Sequence, residues 1–289
     1  MFDKHLNRIL AFIVFLTTIV VYFKTLSVTV VFWDVGEFCA AAYLMQVPHP
    51  PGSPFFLIIA KVVSLVPFLP DIAARMHAVS ALSAALGAMF LYLATVKIIG
   101  RINNGATSVV DKIIVYGASF VGALTLAFTT TYWDNAIEAE VYGLSMLFVS
   151  VIMWLILRWW ERAEEPHNEK YILLIAYLIG LSTGVHLLAL LAVFPVMMLI
   201  YFRLYAINKR SLILFGIITL VTFIVIYPGI VQYLPSMLDG DFKGFKFELL
   251  PFVPVLILIA AAWGVYKAYQ TKHRLLHIAC LSFILIVLG

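Results

Sequence analysis

The chain has 289 residues, of which 64% are hydrophobic and 12% are charged, with a net charge of +4 and a mean hydropathy of +1.04. Soluble domains are about 45–50% apolar and about 25% charged, and a water-soluble fold cannot bury this apolar excess. The composition therefore excludes a soluble enzyme, a nucleic-acid-binding domain and a disordered chain, and it predicts an integral membrane protein.

Nine apolar stretches are candidates for the roughly 20-residue helices that cross a bilayer. In chain order they are residues 9–22, 76–99, 113–131, 140–160, 171–185, 186–202, 212–230, 251–268 and 275–289. No small-residue cleavage site closely follows the first stretch, so we expect it to stay as an anchor. We predict an all-α polytopic membrane protein with a single transmembrane domain over residues 1–289. The last stretch ends at Gly289 without a flanking charge, so we expect the chain to be truncated there.

The segment 55–69 is shorter, contains Lys61 and ends before Pro70, which favours a helix at the membrane interface. With this segment interfacial, fourteen of the 19 basic residues fall on one side, which the positive-inside rule assigns to the cytoplasm. The N-terminus is then cytoplasmic, and the first exterior loop spans residues 23–75. Most acidic residues fall on the exterior side, so we expect the chemistry on the periplasmic or lumenal face.

Asp34 and Glu37 follow the first span in the sequence WDVGEF. On a short helix that starts near Asp34, the two carboxylates share one face. One interpretation makes Asp34 a helix N-cap and Glu37 its capping-box partner. The other makes a carboxylate, walled by Trp33 and Phe38 and partly desolvated, a general base. The residues alone leave both interpretations open.

Two turns each contain a histidine. His49 begins the sequence HPPGSP, whose prolines and glycine force a rigid turn between two helices. It is either a solvated turn residue or a substrate contact. The sequence STGVH at 182–186 interrupts a long apolar run, where small residues allow the backbone to turn in a protein-lined cleft. His186 either satisfies a neighbour in the bundle or contributes to a site.

Asp134, Glu138 and Glu140 lie between two predicted spans. Asp134 and Glu138 are four residues apart and are expected on one helix face, where like charges require a cation, sugar hydroxyls or water as partners. Glu140 is expected to lie deepest in the following span, and ionisable residues in a membrane are functional candidates. The alternative is that a loop at headgroup level keeps all three hydrated.

Several familiar signatures are absent from the sequence: a Walker A loop, HExxH, cysteine pairs, GxSxG and charges at the centre of successive spans. Small residues at Ser80, Ala84 and Ala88 predict a helix-packing ridge. No metal is predicted, because no residue pattern demands one. Carboxylate pairs could nevertheless bind a divalent ion, and a rate that collapses in chelator would overturn the metal-free interpretation.

Taken together, DxGEF before an alanine-rich helix, HPPGxP and AEVY resemble motifs of the transmembrane protein O-mannosyltransferases related to the enzyme that glycosylates plexin-type receptors. Bacterial relatives share these motifs, and all resemble the wider GT-C superfamily of polyprenyl-phosphate-sugar transferases. The resemblance is most specific at residues 33–54 and 138–142. It implies a GT-C fold whose first exterior loop holds juxtamembrane helices and a catalytic carboxylate.

The resemblance implies transfer of mannose from a polyprenyl phosphate to a Ser or Thr hydroxyl of an acceptor protein at the membrane, without a cofactor and without nucleic acid. Asp34 would be the general base of one inverting displacement, and Glu37 would orient it or the acceptor. The donor phosphate needs a cation, for which Arg75 is the first candidate, with Lys61 and Lys24 behind it. The other expected substrate-binding residues are His49, Asp134, Glu138, Glu140, Tyr142 and His186.

Two other functions stay open at this point. A carrier or lipid flippase would share the helical bundle and the acidic outer vestibule, and it would give transport without a covalent product. A non-catalytic membrane scaffold would tolerate Asp34→Asn and Glu138→Gln without consequence.

Overall fold

The protein is described by a computed structural model that covers residues 2–50, 52–102 and 108–289, with side chains from residue 5 onward. Pro51, which belongs to the predicted rigid turn, lies outside the described residues. The first half of the chain forms α1 (Phe2–Lys24), α2 (Val35–Leu44), α3 (Pro54–Ser64), α4 (Ile72–Ile102), α5 (Val109–Ala127), α6 (Thr130–Ile137) and α7 (Val141–Glu161).

The second half continues with further helices and one short antiparallel hairpin. Its elements are α8 (Glu169–Thr183), a 3₁₀-helix (Leu187–Ala192), α9 (Val193–Leu204), α10 (Lys209–Ile224), a π-helix (Val225–Tyr233), α11 (Leu234–Leu238), β1 (Asp241–Phe242), β2 (Phe245–Lys246), α12 (Phe252–Gln270) and α13 (Arg274–Leu288). The prediction of an all-α polytopic membrane protein is confirmed.

Seven helical segments in the described part of the chain are long and apolar enough to cross a membrane. They are His5–Lys24, Ile72–Ile102, Val109–Ala127, Val141–Glu161, Leu187–Leu204, Lys209–Leu238 and Phe252–Gln270, and they coincide with seven of the nine predicted stretches. The other two stretches correspond to α8 and α13, which have 15 residues each and fall short of the roughly 20 that a span needs. A total of nine spans stays a prediction. With 11 residues, α3 is also too short to cross, as expected for residues 55–69.

The contacts divide the chain into two compact units. The first contains Met1–Leu157 and Gly184–Ala189, and the second contains Arg158–Thr183 and Leu190–Gly289. Every candidate site residue predicted from the sequence lies in the first unit, so the site can be described within that unit alone.

The first unit is built around α4, which packs against α1, α3, α5 and α6. The predicted small-residue ridge is confirmed, because Ser80, Ala84 and Ala88 are all buried. Small side chains allow helix axes to approach closely where no large side chain intervenes. The same closeness joins α4 to α7, since a Cβ added at Gly143 would lie 2.9 Å from the carbonyl oxygen of Ser80. This contact fixes the start of α7, which immediately follows Glu140.

The second unit packs α8 and α12 against α13. Gly180 allows the backbones of α8 and α13 to touch, because an added Cβ would collide with the carbonyl group of Ile286. Arg274, at the start of α13, donates to the Glu169 carboxylate at 2.7 Å and to Asn168 Oδ1 at 3.1 Å. These bonds fix the first turns of α8 and α13 to each other.

Candidate active site

Asp34 and Glu37 are positioned by the start of α2. The alanine-rich sequence of α2 favours a helix, which begins at Val35 and ends before Met45 in the left-handed conformation (φ 55°). Asp34 occupies the N-cap position, but its side chain makes no capping hydrogen bond. The predicted short helix is confirmed, whereas the capping-box interpretation is wrong because the Glu37 carboxylate bonds elsewhere.

The Glu37 carboxylate binds His49 through both of its oxygens. The backbone N–H of His49 donates to Oε1 at 2.6 Å, and Nδ1 lies 2.9 Å from Oε2. Both bonds lower the pKa of Glu37, while the bond to Glu37 raises the pKa of His49. Because an ionised carboxylate only accepts, Nδ1 of His49 must hold the proton of this bond. Glu37 therefore orients His49 rather than Asp34.

The other ring nitrogen of His49 faces Asp34. Its Nε2 lies 3.8 Å from Asp34 Oδ2, which is too long for a direct hydrogen bond. The imidazole lies tilted beside the buried Phe38 ring (5.7 Å between centroids), and Phe38 in turn packs against Phe56 of α3 at 5.8 Å. Asp34, Glu37 and His49 are exposed to solvent on this aromatic base. They are named here the Asp34–Glu37–His49 cluster.

The turn between α2 and α3 is held at both ends. The Gly52 N–H donates to the His49 carbonyl at 3.0 Å, and the Phe55 N–H donates to the Gly184 carbonyl at 2.7 Å. The second bond connects this turn to the backbone interruption that the sequence predicted at 182–186. Gly52 has φ 88°, a conformation that glycine adopts without steric cost. His49 is thus attached to a tightly folded backbone.

The connection between α1 and α2 is also anchored. The Ser27 N–H donates to the Ile137 carbonyl at 3.1 Å, and His77 Nε2 lies 3.1 Å from the Thr29 carbonyl. The first bond brings the stretch before Asp34 to the end of α6, where Glu138 follows, and the second holds the same stretch against α4. Trp33 then adopts the left-handed conformation (φ 63°), which is rare for an aromatic residue and requires support from its surroundings.

Glu138 and Glu140 lie in the connection between α6 and α7. Because α6 ends at Ile137, Glu138 has extended backbone, so the expectation of one shared helix face with Asp134 is wrong. Burial and the Asp134 charge nevertheless raise the pKa of Glu138. Glu140 precedes α7 rather than lying deep inside it, yet it is only 8% exposed. Asp134 is exposed within α6.

Glu140 is the most strongly perturbed carboxyl group of the site. Its pKa rises to about 7, mainly through burial and also through the charges of Asp34 and Glu138, while His49 opposes the shift. Its backbone is fixed by Ser80 of α4, whose hydroxyl donates to the Glu140 carbonyl at 2.9 Å and accepts from the Glu140 N–H at 3.2 Å. At neutral pH both protonation states of Glu140 are therefore populated.

Tyr142 and His186 form a second pair near these carboxylates. Their rings lie 5.1 Å apart, and His186 Nδ1 accepts from the Leu188 N–H at 3.1 Å. Burial lowers the pKa of His186, so its neutral form is favoured. Tyr142 also lines a groove of about 480 Å³ whose other walls are apolar or uncharged: Leu126, Thr129, Thr131, Tyr132, Asn135, Gly143, Met146 and Leu188.

Arg75 is committed to the backbone. Its guanidinium donates to the carbonyls of Leu69 (2.6 Å), Ser64 (2.9 Å) and Pro70 (3.1 Å), so it clamps the end of α3 to the start of α4. Lys61 donates to the Tyr43 carbonyl at 2.5 Å and lies over the Tyr43 ring. Lys24 is exposed at the end of α1. A phosphate contact by Arg75, Lys61 or Lys24 stays a prediction.

The structure brings three side chains into a possible metal-binding arrangement. One ligand atom from each of Asp34, Glu37 and His49 lies within 4.8 Å of the others, which is close enough for a shared cation. The prediction that no metal is required stays untested.

Sequence reasoning missed two contributors. Ser80 was predicted only as a packing residue, but it also fixes the backbone of Glu140. Cys39 of α2 is buried close to the carboxylates, where burial raises its pKa to about 11 and Asp71 and Glu140 add to the shift. No local sequence signal indicates the contact between Ser80 and Glu140 or the burial of Cys39, because both depend on packing between distant segments.

Comparison with known proteins yields one family. Residues 34–209 match the model of the protein O-mannosyl-transferase TMEM260 N-terminal domain. That segment begins at Asp34 and contains every candidate site residue except Lys24. No solved structure matches this chain significantly.

Two curated relatives share the name protein O-mannosyl-transferase TMEM260. The mouse protein is 28% identical over 170 residues, which cover 58% of this chain and 22% of the relative. The Dictyostelium discoideum protein is 25% identical over 163 residues, which cover 55% of this chain and 18% of the relative. The chain therefore matches about a fifth of the length of these relatives.

Proposed function

The chain belongs to the family of the protein O-mannosyl-transferase TMEM260 N-terminal domain, and from this premise we propose that it transfers mannose to hydroxyl groups of an acceptor protein at a membrane surface. The observation that supports the proposal most directly is the Asp34–Glu37–His49 cluster. It combines an exposed carboxylate with an oriented imidazole outside the spanning helices, next to a buried carboxyl group.

The proposed donor is a polyprenyl-phosphate mannose, because a lipid-linked sugar presents its head at the interface while its tail stays in the bilayer. The groove lined by Tyr142 and Leu188 lies at the ends of spanning helices and has no charged residue in its lining. We place the sugar near Glu138 and Glu140, as the family resemblance implies. This side of the membrane is proposed to be periplasmic or lumenal, with the N-terminus in the cytoplasm.

In the proposed reaction, Asp34 accepts the proton of a Ser or Thr hydroxyl while that oxygen attacks the anomeric carbon. The bond between the anomeric carbon and the phosphate oxygen breaks, and the polyprenyl phosphate leaves with the bonding electrons. One such displacement inverts the anomeric configuration. Phosphate is an adequate leaving group, so no general acid is required. A positioned base of this kind contributes about 10²–10⁴-fold to the rate.

Glu140 has a different proposed role. With a pKa of about 7, it is partly protonated at neutral pH and can donate a hydrogen bond to a sugar hydroxyl. In this form it also adds no negative charge next to the donor phosphate. His49 would stay at the rim of the sugar pocket, and Tyr142 and His186 would line its other side.

The test is transfer of labelled mannose from a polyprenyl-phosphate donor to a library of Ser/Thr peptides by the purified chain in lipid nanodiscs. Wild-type protein should give mannosylated peptide, and Asp34→Asn should give little. Anomeric configuration in the product, read by NMR, should be inverted relative to the donor. Transport of the lipid donor across liposomes without a covalent product would instead establish a carrier.

A further inference from the structure

This inference rests on the proposed function, in which a negatively charged donor must reach a site that is rich in carboxylates. A phosphate-bearing donor would approach the carboxylates of Asp34, Glu37 and Glu138, and like charges repel it. Residues 34–75 contribute two basic side chains, Lys61 and Arg75. Both already bond to backbone carbonyls. A cation from solution would resolve this repulsion without rearranging either side chain.

The geometry of His49 suits a metal ligand. Glu37 holds the Nδ1 proton, so the lone pair of the neutral imidazole is on Nε2, and Nε2 faces Asp34 Oδ2 at 3.8 Å. Nitrogen and oxygen ligands about 2.1 Å from one ion in tetrahedral geometry are about 3.5 Å apart. The observed separation is thus within a few tenths of an ångström of a bridged pair. A carboxylate on the second nitrogen of a ligating histidine is the usual supporting contact.

The surroundings of Glu140 agree with a cation at this place, but the proposal stands on the geometry of His49 and Asp34. Glu140 is 8% exposed, and the donor next to its carboxylate in the described structure is the N–H of the adjacent Val141. The charges of Asp34 and Glu138 disfavour the ionised form of Glu140, and His49 opposes that effect. A cation bound at the Asp34–Glu37–His49 cluster would lower this electrostatic cost.

We propose that a divalent metal ion binds between Asp34 Oδ2 and His49 Nε2, with Glu37 orienting the histidine. The mixed nitrogen and oxygen donors suit Zn²⁺ better than Mg²⁺ or Ca²⁺, which prefer oxygen alone, and Mn²⁺ also binds carboxylate ligands. The ion supplies positive charge for the donor phosphate. Oδ1 of Asp34 stays available for the acceptor proton. The proposal replaces the metal-free prediction made from the sequence.

The test measures Mn²⁺ binding directly. The purified chain in nanodiscs is stripped with EDTA, exchanged into metal-free buffer and titrated with Mn²⁺, with free Mn²⁺ read by electron paramagnetic resonance and Zn²⁺ added as competitor. Wild type should show one saturable site. Asp34→Asn and His49→Gln should each raise the Kd more than about tenfold, and Glu37→Gln should raise it about 10–100-fold, as for other supporting carboxylates.

Matched controls come from the second unit. Asp239→Asn and His167→Gln remove an exposed carboxylate and an exposed imidazole, and they should leave the Kd unchanged. Because the three cluster residues are exposed, their variants should fold, which size-exclusion profiles and melting temperatures check. Absence of a saturable site in wild type, or equal affinity in wild type, Asp34→Asn and His49→Gln, would overturn the proposal.

The same samples separate this inference from the proposed function. Saturable Mn²⁺ binding that depends on Asp34 and His49, without mannosyl transfer, would support the metal site and contradict the transferase. Full transfer by EDTA-stripped protein that binds no Mn²⁺ would support the transferase and contradict the metal site. Transfer that is lost on stripping and restored by Mn²⁺ or Zn²⁺ would support both.

Discussion

The Asp34–Glu37–His49 cluster and the Glu138–Glu140 connection use the same kinds of acidic residue under opposite conditions. Glu37 is exposed and bonded twice to His49, which lowers its pKa. Glu140 is buried beside other carboxylates, which raises its pKa to about 7. Glu37 is therefore ionised at neutral pH, whereas Glu140 is present in both its protonated and its ionised form. A carboxylate's role here depends on what surrounds it and not on its position in a motif.

The largest effect should come from removing Asp34, the proposed base in the exposed cluster. Asp34→Asn keeps the size of the side chain but cannot accept the hydroxyl proton, so mannosyl transfer should fall about 10²–10⁴-fold. Initial rates with a Ser/Thr peptide measure this, with Asp239→Asn as the matched control. A loss below tenfold would show that Asp34 is not the base and would leave Glu37, Glu138 and Glu140 as candidates. The exposed cluster and the buried connection would then no longer differ in the way proposed here.

The second prediction concerns the buried carboxyl group. Glu140 binds its proton more tightly in the folded chain, so folding stability falls as pH rises from about 4.5 through about 7. Glu140→Gln removes this loss, which amounts to about 3 kcal/mol. The backbone bonds to Ser80 are kept in the variant.

Melting temperatures in detergent with EDTA check this prediction at pH 5 and pH 8. The Glu140→Gln variant should melt several degrees above wild type at pH 8 and nearly with it at pH 5. An equal difference at both values would mean that the folded chain does not perturb the ionisation of Glu140.

A smaller effect is expected from Glu37. Glu37→Gln can still accept one hydrogen bond from His49, but it loses the charge that holds the Nδ1 proton. The imidazole is then less firmly oriented, and kcat should fall about tenfold with little change in folding. Glu248→Gln, an exposed acidic residue of the second unit, is the matched control. Wild-type kcat in Glu37→Gln would show that the orientation of His49 does not matter for transfer.

The smallest effect on activity should come from Arg75. Because its guanidinium satisfies three carbonyls, Arg75→Lys should lower the free energy of unfolding by about 1–3 kcal/mol. The KM for the lipid donor should change less than about twofold once folding is controlled for. A KM that rises tenfold with unchanged melting temperature would support the predicted contact between Arg75 and the donor phosphate. Arg75 would then be a cation at the site besides the proposed metal.

Much of the fold could be predicted from the sequence because it depends on local pattern. Apolar length identified seven helices now seen as candidate spans, and the small residues at Ser80, Ala84 and Ala88 identified the packing face of α4. The interruption at 182–186 was also predicted, and α8 ends at Thr183. Each of these features requires only the hydrophobic effect and the steric limits of neighbouring residues.

The site was only partly predictable. Sequence reasoning selected Asp34, Glu37 and His49, but it paired Glu37 with Asp34 and placed Glu138 on a helix that in fact ends at Ile137. The three backbone carbonyls that bind Arg75 were not foreseen either, while its predicted phosphate contact stays a prediction. The wrong partner for Glu37 and the wrong helix for Glu138 share a cause. Contacts between residues that are not adjacent in sequence depend on where the chain turns, which the local pattern does not determine.

The sequence by itself thus determined that this is a helical membrane protein and which residues are candidates for chemistry, because composition, hydrophobic length and motif are local properties. Tertiary structure decided which carboxylate keeps its charge and which one holds a proton. The physical reason is that ionisation depends on burial and on hydrogen-bond donors from other segments. Glu37 gained His49 across the turn that follows α2, whereas Glu140 was fixed against Ser80 of α4, 60 residues away in the chain.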